Sequence, residues 1–274
     1  MQALRPYLAT FAARFQLMLQ YRAAALAGFV TQSWFGGLLI MVLAAFYGAG
    51  RQGAPISLPQ AVTYIWLSQA TLALLPWGGD PQVTAAVRSG AVGYDRLRPI
   101  DAYWWWYANA AGSMLARVLP RAALIAAFAG VILPVLGYGD WALKPPAGLV
   151  AGGLFAVSMG LVLLLASSIM MLINVGTVVT LDNKGLASIA GAASHLFSGN
   201  IVPLLLFPDW MRGFLLIQPF AGLLDIPCRI YFGQLSGPDA VLGLGLQLFW
   251  TVALIALGRA LISGVMSRLQ VQGG

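Results

Sequence analysis

Long apolar runs separated by short polar segments make up most of this 274-residue chain. A helix needs about 20 apolar residues to cross the hydrocarbon core of a bilayer. Six runs approach or exceed that length: residues 23–48, 59–78, 119–137, 147–172, 185–204 and 240–262. The pattern predicts an all-α integral membrane protein with six transmembrane helices in one domain over residues 1–274.

The first residues follow a different, amphipathic pattern. Apolar side chains recur at helical spacing at Leu4, Leu8, Phe11, Phe15 and Met18, with Arg5 and Arg14 on the flanks. A basic amphipathic helix of this kind lies at the lipid headgroups, so residues 1–22 are predicted to form an interfacial helix. The run YWWWY at 103–107 predicts a second headgroup contact, because Trp and Tyr are enriched at that depth.

Prolines interrupt the apolar sequence between the fifth and sixth predicted spans. Pro203, Pro208, Pro219 and Pro227 divide residues 198–239 into pieces too short to cross a bilayer. Broken helices survive at membrane depth only where protein or water satisfies their backbone groups. The segment is predicted to be re-entrant and to form an outer lid that includes Pro203, Pro208, Asp209 and Trp210. An amphipathic outer loop is the alternative.

The composition is that of a chain surrounded by membrane lipid. Hydrophobic residues make up 60% of it and charged residues 8%, against about 25% in a soluble domain. If the N-terminus is cytoplasmic, eleven of the 15 Lys and Arg residues lie in cytoplasmic segments, which predicts that both ends are cytoplasmic. The net charge of +7 therefore reflects orientation in the membrane, and no nucleic-acid partner is expected.

Several kinds of chemistry have no basis in the sequence. The two lysines, Lys144 and Lys184, do not complete a phosphate-binding P-loop, and the single Cys228 has no neighbouring metal ligands. His195 and Ser198 share a helix, but no acid lies nearby to orient a catalytic dyad. The sequence predicts no enzyme, no catalytic or metal-binding residue and no directly bound cofactor.

Polar and aromatic residues inside the predicted spans are candidates for a substrate path. A polar side chain in hydrocarbon is costly unless it faces protein or water. The candidates are Gln32, Tyr64, Gln69, His195 and Asn200. His195 is the one ionisable residue in the middle of a predicted span, either as a proton relay or as a packing residue.

The fifth predicted span also carries a stripe of small and polar residues on one face: Gly185, Ser188, Ala192, His195 and Gly199. Such a face either packs closely against another helix or lines a path. The pattern does not separate these two possibilities.

Two motifs on opposite predicted sides resemble those of one transporter family. The stretch SGAVGYDRLRPIDAYW at 89–104 resembles the first long cytoplasmic loop of ABC-2 type exporter permeases, where a Gly-rich turn precedes a Leu-Arg-Pro triplet. The stretch FSGNIVPLLLFPDWMRGFLLIQPF at 197–220 is similar to that family's outer signature. The resemblance is closest to the bacterial branch whose permeases occur as pairs beside a separate ATPase.

The resemblance implies a membrane-spanning subunit of an ATP-driven exporter in the bacterial cytoplasmic (inner) membrane. Its partners would be an ABC ATPase in two copies, which binds ATP and Mg, and a second permease, related or identical. Residues 79–118 would form the coupling loop, in which the residues expected to contact the ATPase are Arg88, Asp95, Arg96, Arg98, Pro99 and Asp101. The absence of Glu excludes the E-A-A loop of import permeases, so export of a hydrophobic or amphiphilic substrate is expected.

Two other functions remain open at this stage. A gradient-driven secondary transporter would need no ATPase and would rely on a buried ionisable group such as His195. A structural membrane factor would transport nothing, and substrates would not change the hydrolysis rate of its partner.

Overall fold

The structure is a computed structural model that describes residues 4–48, 55–91, 93, 99–182 and 184–268. Every regular element in these ranges is helical, which confirms the all-α prediction. Four helices are long and apolar enough to cross a membrane. They are α2 (Arg22–Gly48), α5 (Ala102–Ala127, continued by a π-helical turn and α6, Leu133–Val135), α7 (Leu149–Thr180) and α11 (Gly237–Arg268).

The remaining α-helices are shorter and fill the ends and one side of the bundle. They are α1 (Arg5–Leu19), α3 (Leu58–Thr71), α4 (Pro81–Arg88), α8 (Lys184–Phe197), α9 (Asp209–Ile217) and α10 (Asp225–Tyr231). The second and fifth predicted spans correspond to α3 and α8, each with 14 residues. Glycine shortens α8, because Gly199 adopts a left-handed conformation (φ 86°) two residues after the helix ends.

The helix α5 begins at Ala102, well before the start at residue 119 that the sequence predicted. Asp101 caps it by accepting a hydrogen bond from the Trp104 backbone N–H (3.1 Å). The helix runs on past Arg117 and Arg121, whose guanidinium groups donate to backbone carbonyls of Ser113 and Ala24. The predicted coupling loop, residues 79–118, therefore contains the first half of α5.

The aromatic run at the start of α5 belongs mainly to the protein interior. Tyr103, Trp106 and Tyr107 are buried in one cluster with Met171 and Val175 of α7. The headgroup contact predicted for the run is wrong for these three side chains, because the first turns of α5 pack on α7.

The helix α7 is the centre of the bundle and packs against α5, α10 and α11. Leu165, Ala166 and Met114 are completely buried where α7 meets α5. The α11 contact includes a polar clamp: Ser158 Oγ donates to Gln247 Oε1 (2.9 Å), and Gln247 Nε2 donates to the Gly222 carbonyl (2.7 Å). Because these polar groups satisfy one another, they can remain buried in an apolar bundle.

The helix α1 packs on the first half of α5, with Gly112 at the crossing. A Cβ atom at Gly112 would lie 2.6 Å from the Phe11 carbonyl oxygen, so only glycine allows this approach. Phe11, Phe15 and Met18 face the bundle and are partly buried, whereas Leu4 and Leu8 are exposed. The interfacial position predicted for residues 1–22 remains a prediction.

We expect Gly112→Ala to destabilise the protein by up to about 2 kcal/mol, since overpacking costs about 1–3 kcal/mol and alanine recovers about 1 kcal/mol of helix propensity. Thermal unfolding in detergent measures this change. Gly160→Ala is the matched control, because a Cβ atom there meets nothing within 4 Å. Equal effects at the two glycines would contradict the close α1–α5 crossing.

Candidate functional site

The helix α4 lies across one end of α7, at the end of the bundle that also holds the start of α5. Asp80 caps α4, and its backbone N–H donates to Asn174 Oδ1 of α7 (2.7 Å). Val83 and Val87 are buried against α7. The opposite face, including Gln82 and Ala85, is exposed. A short helix is therefore held rigidly on the bundle with one side free.

The residues predicted to contact an ATPase have different places at this end. Arg88 ends α4, and its Nη2 donates to Asp182 Oδ1 (3.0 Å) in the α7–α8 connection. Pro99 is exposed just before α5. Asp95, Arg96 and Arg98 lie outside the described residues.

Asp101 has structural partners in three helices. Besides capping α5, its backbone N–H donates to the Tyr7 hydroxyl of α1 (3.0 Å), and its carboxylate accepts from Arg259 of α11 (3.3 Å). The Arg259 guanidinium also lies over the Trp104 ring, 5.6 Å from its centre. Asp101 thus joins α1, α5 and α11. This structural role does not depend on any partner that the neighbouring loop contacts.

The five path candidates do not form a single cluster. Gln32 on α2 is buried and its Oε1 has no hydrogen-bond partner, while Gln69 on α3 donates to Ser68 Oγ (3.4 Å). His195 is partly exposed on α8 and lies against the Trp77 ring at 4.9 Å. Tyr64 and Asn200 are buried around the C-terminal end of α8.

His195 and Ser198 make no catalytic dyad in the described part of the chain. Neither His195 Nδ1 nor Ser198 Oγ has a hydrogen-bond partner. No cluster of three or more His, Cys or acidic side chains that could hold a metal ion is found there either.

A buried carboxylate lies where Tyr64 and the end of α8 meet α10. Asp225 is completely buried, and its Oδ2 is 3.6 Å from the Arg229 guanidinium one turn later. Gly199 allows the Tyr64 hydroxyl to approach closely, because a Cβ atom at this glycine would clash with that oxygen. Burial raises the pKa of Asp225 to about 6, although the Arg229 charge lowers it.

The residues of the predicted lid differ in exposure. Pro203 is buried, whereas Pro208, Asp209 and Trp210 are exposed. Asp209 pairs with Arg212 across 2.9 Å, and Trp210 is 81% exposed. The exposed Trp210 therefore gives α9 a large apolar side chain on its free side.

Sequence reasoning missed the two buried carboxylates, Asp80 and Asp225, because it placed all Asp residues in loops or at span ends. Asp80 pairs with Arg14 of α1, at 3.6 Å, and both side chains are almost fully buried. One local signal was available for Asp225, since Arg229 follows it by four residues and such a spacing pairs charges on a helix. No local signal joins Asp80 to Arg14.

We expect the buried Asp225 to make stability depend on pH. Its pKa is 3.8 ordinarily and about 6 when buried, so the folded protein binds the proton more tightly than the unfolded chain. The stabilisation of the folded state by the proton on Asp225 is complete below about pH 4 and is lost as the pH rises through about 6. Thermal unfolding of Asp225→Asn should lack this decline, whereas Asp209→Asn, an exposed control, should keep it. A decline that persists in Asp225→Asn would assign it to another group.

Comparison with known proteins places this geometry in a family. No curated protein matches the chain. A family model described as "ABC-2 family transporter protein" matches residues 37–273, which include α3 to α11 and the last 12 residues of α2. Together with the four long apolar helices, this match identifies the protein as a multi-pass membrane permease that takes part in transport. The chain belongs to the ABC-2 transporter family.

Proposed function

We propose that this chain is the permease subunit of an ATP-driven exporter, powered by a separate ABC ATPase. The observation that carries the proposal is α4, a short helix fixed on α7 with one face free. A docking element must keep its conformation if it is to transmit movements of a soluble partner to the membrane helices. The buried Val83 and Val87 and the Arg88–Asp182 pair give α4 that support.

Six membrane crossings are part of this proposal. The Tyr47 hydroxyl donates to the Ile56 carbonyl at the end of α2 (2.7 Å), and Asp80 pairs with Arg14 near its start. These contacts, with Gly36 of α2 beside Trp66 of α3, support a return of the chain along α2 between Ile56 and Asp80, although α3 alone is short.

The helix α8 makes a similar passage along α7. Leu186 near its start lies beside Gly176 near the end of α7, and Gly199, two residues after the end of α8, lies close to Tyr64. The segment that follows contains α10, where Tyr231 packs on Phe155 near the start of α7 (5.0 Å). With residues 184–200 as a crossing, the segment 198–239 lies on the side opposite α4, as the proposed outer lid.

A second permease, related or identical, fits the free side of α8. Gly185, Ser188 and Ala192 of the small-residue stripe are exposed, and the Ser188 hydroxyl is already satisfied by the Lys184 carbonyl (2.8 Å). Small residues let helices approach closely in a membrane. The complex we propose has two such permeases and two ATPase copies, which bind ATP and Mg, in the bacterial cytoplasmic membrane.

The substrate we propose is hydrophobic or amphiphilic and leaves from the cytoplasm or the inner leaflet. Gln32, Tyr64, Gln69, His195 and Asn200 are the proposed contacts. Buried polar atoms without partners on Gln32, Tyr64 and Asn200 support this choice, because such atoms gain from a ligand or water.

A gradient-driven transporter remains the alternative, and the buried Asp225 is the observation that favours it. A carboxyl group with a pKa of about 6 can exchange a proton near neutral pH. Its near neighbours with ionisable groups are Tyr64, Cys228 and Arg229. None of these is a second acid or a histidine that would extend a relay.

Transport by vesicles that contain the permease and its ATPase distinguishes the two energy sources. We expect export of a fluorescent cationic dye to require ATP and to persist when the proton gradient is collapsed. His195→Gln and Asp225→Asn should change affinity but leave ATP-dependent turnover largely intact. Export that continues without ATP and stops with the gradient, or with either variant, would establish the carrier instead.

Charge reversal tests the proposed docking loop. Arg96→Glu combined with Arg98→Glu should release the ATPase or uncouple its hydrolysis, because reversed charges at a docking patch repel the partner. Co-purification and substrate-stimulated ATP hydrolysis measure the effect. Arg51→Glu, in the first loop predicted to lie outside, is the control. Full co-purification with normal stimulation in the double variant would remove the loop from the interface.

A further inference from the structure

A groove of about 580 Å³ opens at the elbow between α1 and α2, with α5 as its other wall. Its surface is almost entirely apolar, and alanines such as Ala24, Ala116 and Ala123 leave the space open. Leu26 at its rim is 55% exposed, so the groove faces the surroundings of the bundle. In a membrane protein those surroundings are lipid.

Three guanidinium groups line this apolar groove, from Arg22, Arg117 and Arg121. Arg117 Nε donates to the Ser113 carbonyl (3.2 Å), and Arg121 Nη2 donates to the Ala24 carbonyl (3.2 Å). No carboxylate of the described residues lies within 4 Å of any of the three. Among the described residues, no carboxylate therefore pairs directly with this positive charge beside hydrocarbon.

A second, more polar cavity of about 390 Å³ adjoins the groove, and Met18 and Arg117 line both. It contains the Arg14–Asp80 pair. The Arg14 Nε atom is buried without a hydrogen-bond partner. Arg117 is within electrostatic range of Arg14, Arg121 and Asp80. Arg14, Arg117 and Arg121 thus lie around the junction of the two cavities, where Asp80 is the one carboxylate among the described lining residues.

The positions of Arg117 and Arg121 along α5 indicate their depth in the membrane. Along α5 and its continuation, Arg121 and Arg117 are 14 and 18 residues before Val135. At 1.5 Å per residue these separations are roughly 21 and 27 Å, and the hydrocarbon core is about 30 Å thick. With Val135 taken as the far edge of the hydrocarbon, Arg117 is about 3 Å and Arg121 about 9 Å from the opposite edge. That edge is the cytoplasmic one in the proposed orientation.

We propose that this groove is a binding site for an anionic phospholipid. Its phosphate lies between Arg22 and Arg117, and one acyl chain occupies the apolar wall formed by α2 and α5. Guanidinium groups bind phosphate oxygens through paired, charge-assisted hydrogen bonds. The groove volume is within the ~300–1,000 Å³ typical of ligand sites. The proposal does not depend on ATP-driven export.

Glycine supports the site from the α2 side. A Cβ atom at Gly28 would lie 2.5 Å from Arg121 Nε, so this glycine lets the guanidinium rest against the α2 backbone. Arg121 thus fixes the width of the groove while Arg22 and Arg117 remain available to the ligand. For this reason the test leaves Arg121 unchanged.

Native mass spectrometry of the purified permease, titrated with phosphatidylglycerol or phosphatidylcholine of identical acyl chains, tests the proposal. We expect preferential retention of phosphatidylglycerol. Arg22→Gln with Arg117→Gln should lower that retention about tenfold or more, because charge-assisted hydrogen bonds are lost. Arg117→Lys should keep most of it. Arg212→Gln, at an arginine of α9 outside the groove, is the matched control.

A second variant tests the acyl-chain part of the site without changing charge. Ala123→Leu fills the groove and should also reduce phosphatidylglycerol retention. Inorganic phosphate, added alone, should neither displace the lipid nor raise the unfolding temperature, because it has no acyl chain. Equal retention of the two lipids, unchanged retention in both groove variants, or stabilisation by phosphate alone would each overturn the proposal.

Discussion

The ion pair between Arg14 and Asp80 is the contact on which the cytoplasmic half of the proposed architecture depends. It joins α1 to the start of α4, and the Asp80 backbone N–H joins the same point to Asn174 of α7. Burying two charges is costly unless they pair and their other polar atoms are satisfied. The pair therefore fixes α1, α4 and α7 relative to one another. Moving these helices apart would separate Arg14 from Asp80 and leave an unpaired buried charge.

This junction also explains why positive charge accumulates beside it. Arg117 and Arg121 extend from α5 toward the same region, and Asp80 alone cannot balance them. In water the excess would be screened, but at the edge of hydrocarbon it attracts anions. An anionic headgroup supplies the missing charge, and the adjoining apolar groove accepts the chain attached to it.

At the opposite end of the bundle, another buried carboxylate is paired with an arginine. Asp225 and Arg229 pair within α10, and Tyr64 and Gly199 close the space around them. Each end of the bundle thus contains a buried carboxylate paired with arginine, while the apolar cores around α7 connect the two. A permease that alternates between inward and outward access needs rigid helices between ends that can repack, and α7 and α11 are continuous over 32 residues each.

The sequence by itself determined the class of protein, the helical architecture and four of the crossings, because apolar length is a local property that lipid imposes on every spanning helix. It also indicated the family through two local motifs. Tertiary structure alone decided that Tyr103 and Trp106 are internal, since this depends on packing against α7, whereas the start of α5 at Ala102 has a local signal in the Asp101 cap. The Arg14–Asp80 pair could not be read from the sequence, because its partners are 66 residues apart and only the fold of α1 onto α5 brings them together. Where a charge lies relative to the hydrocarbon depends on how the helices pack. The ability of a helix to cross the hydrocarbon depends only on the length of its apolar run, which the local sequence shows.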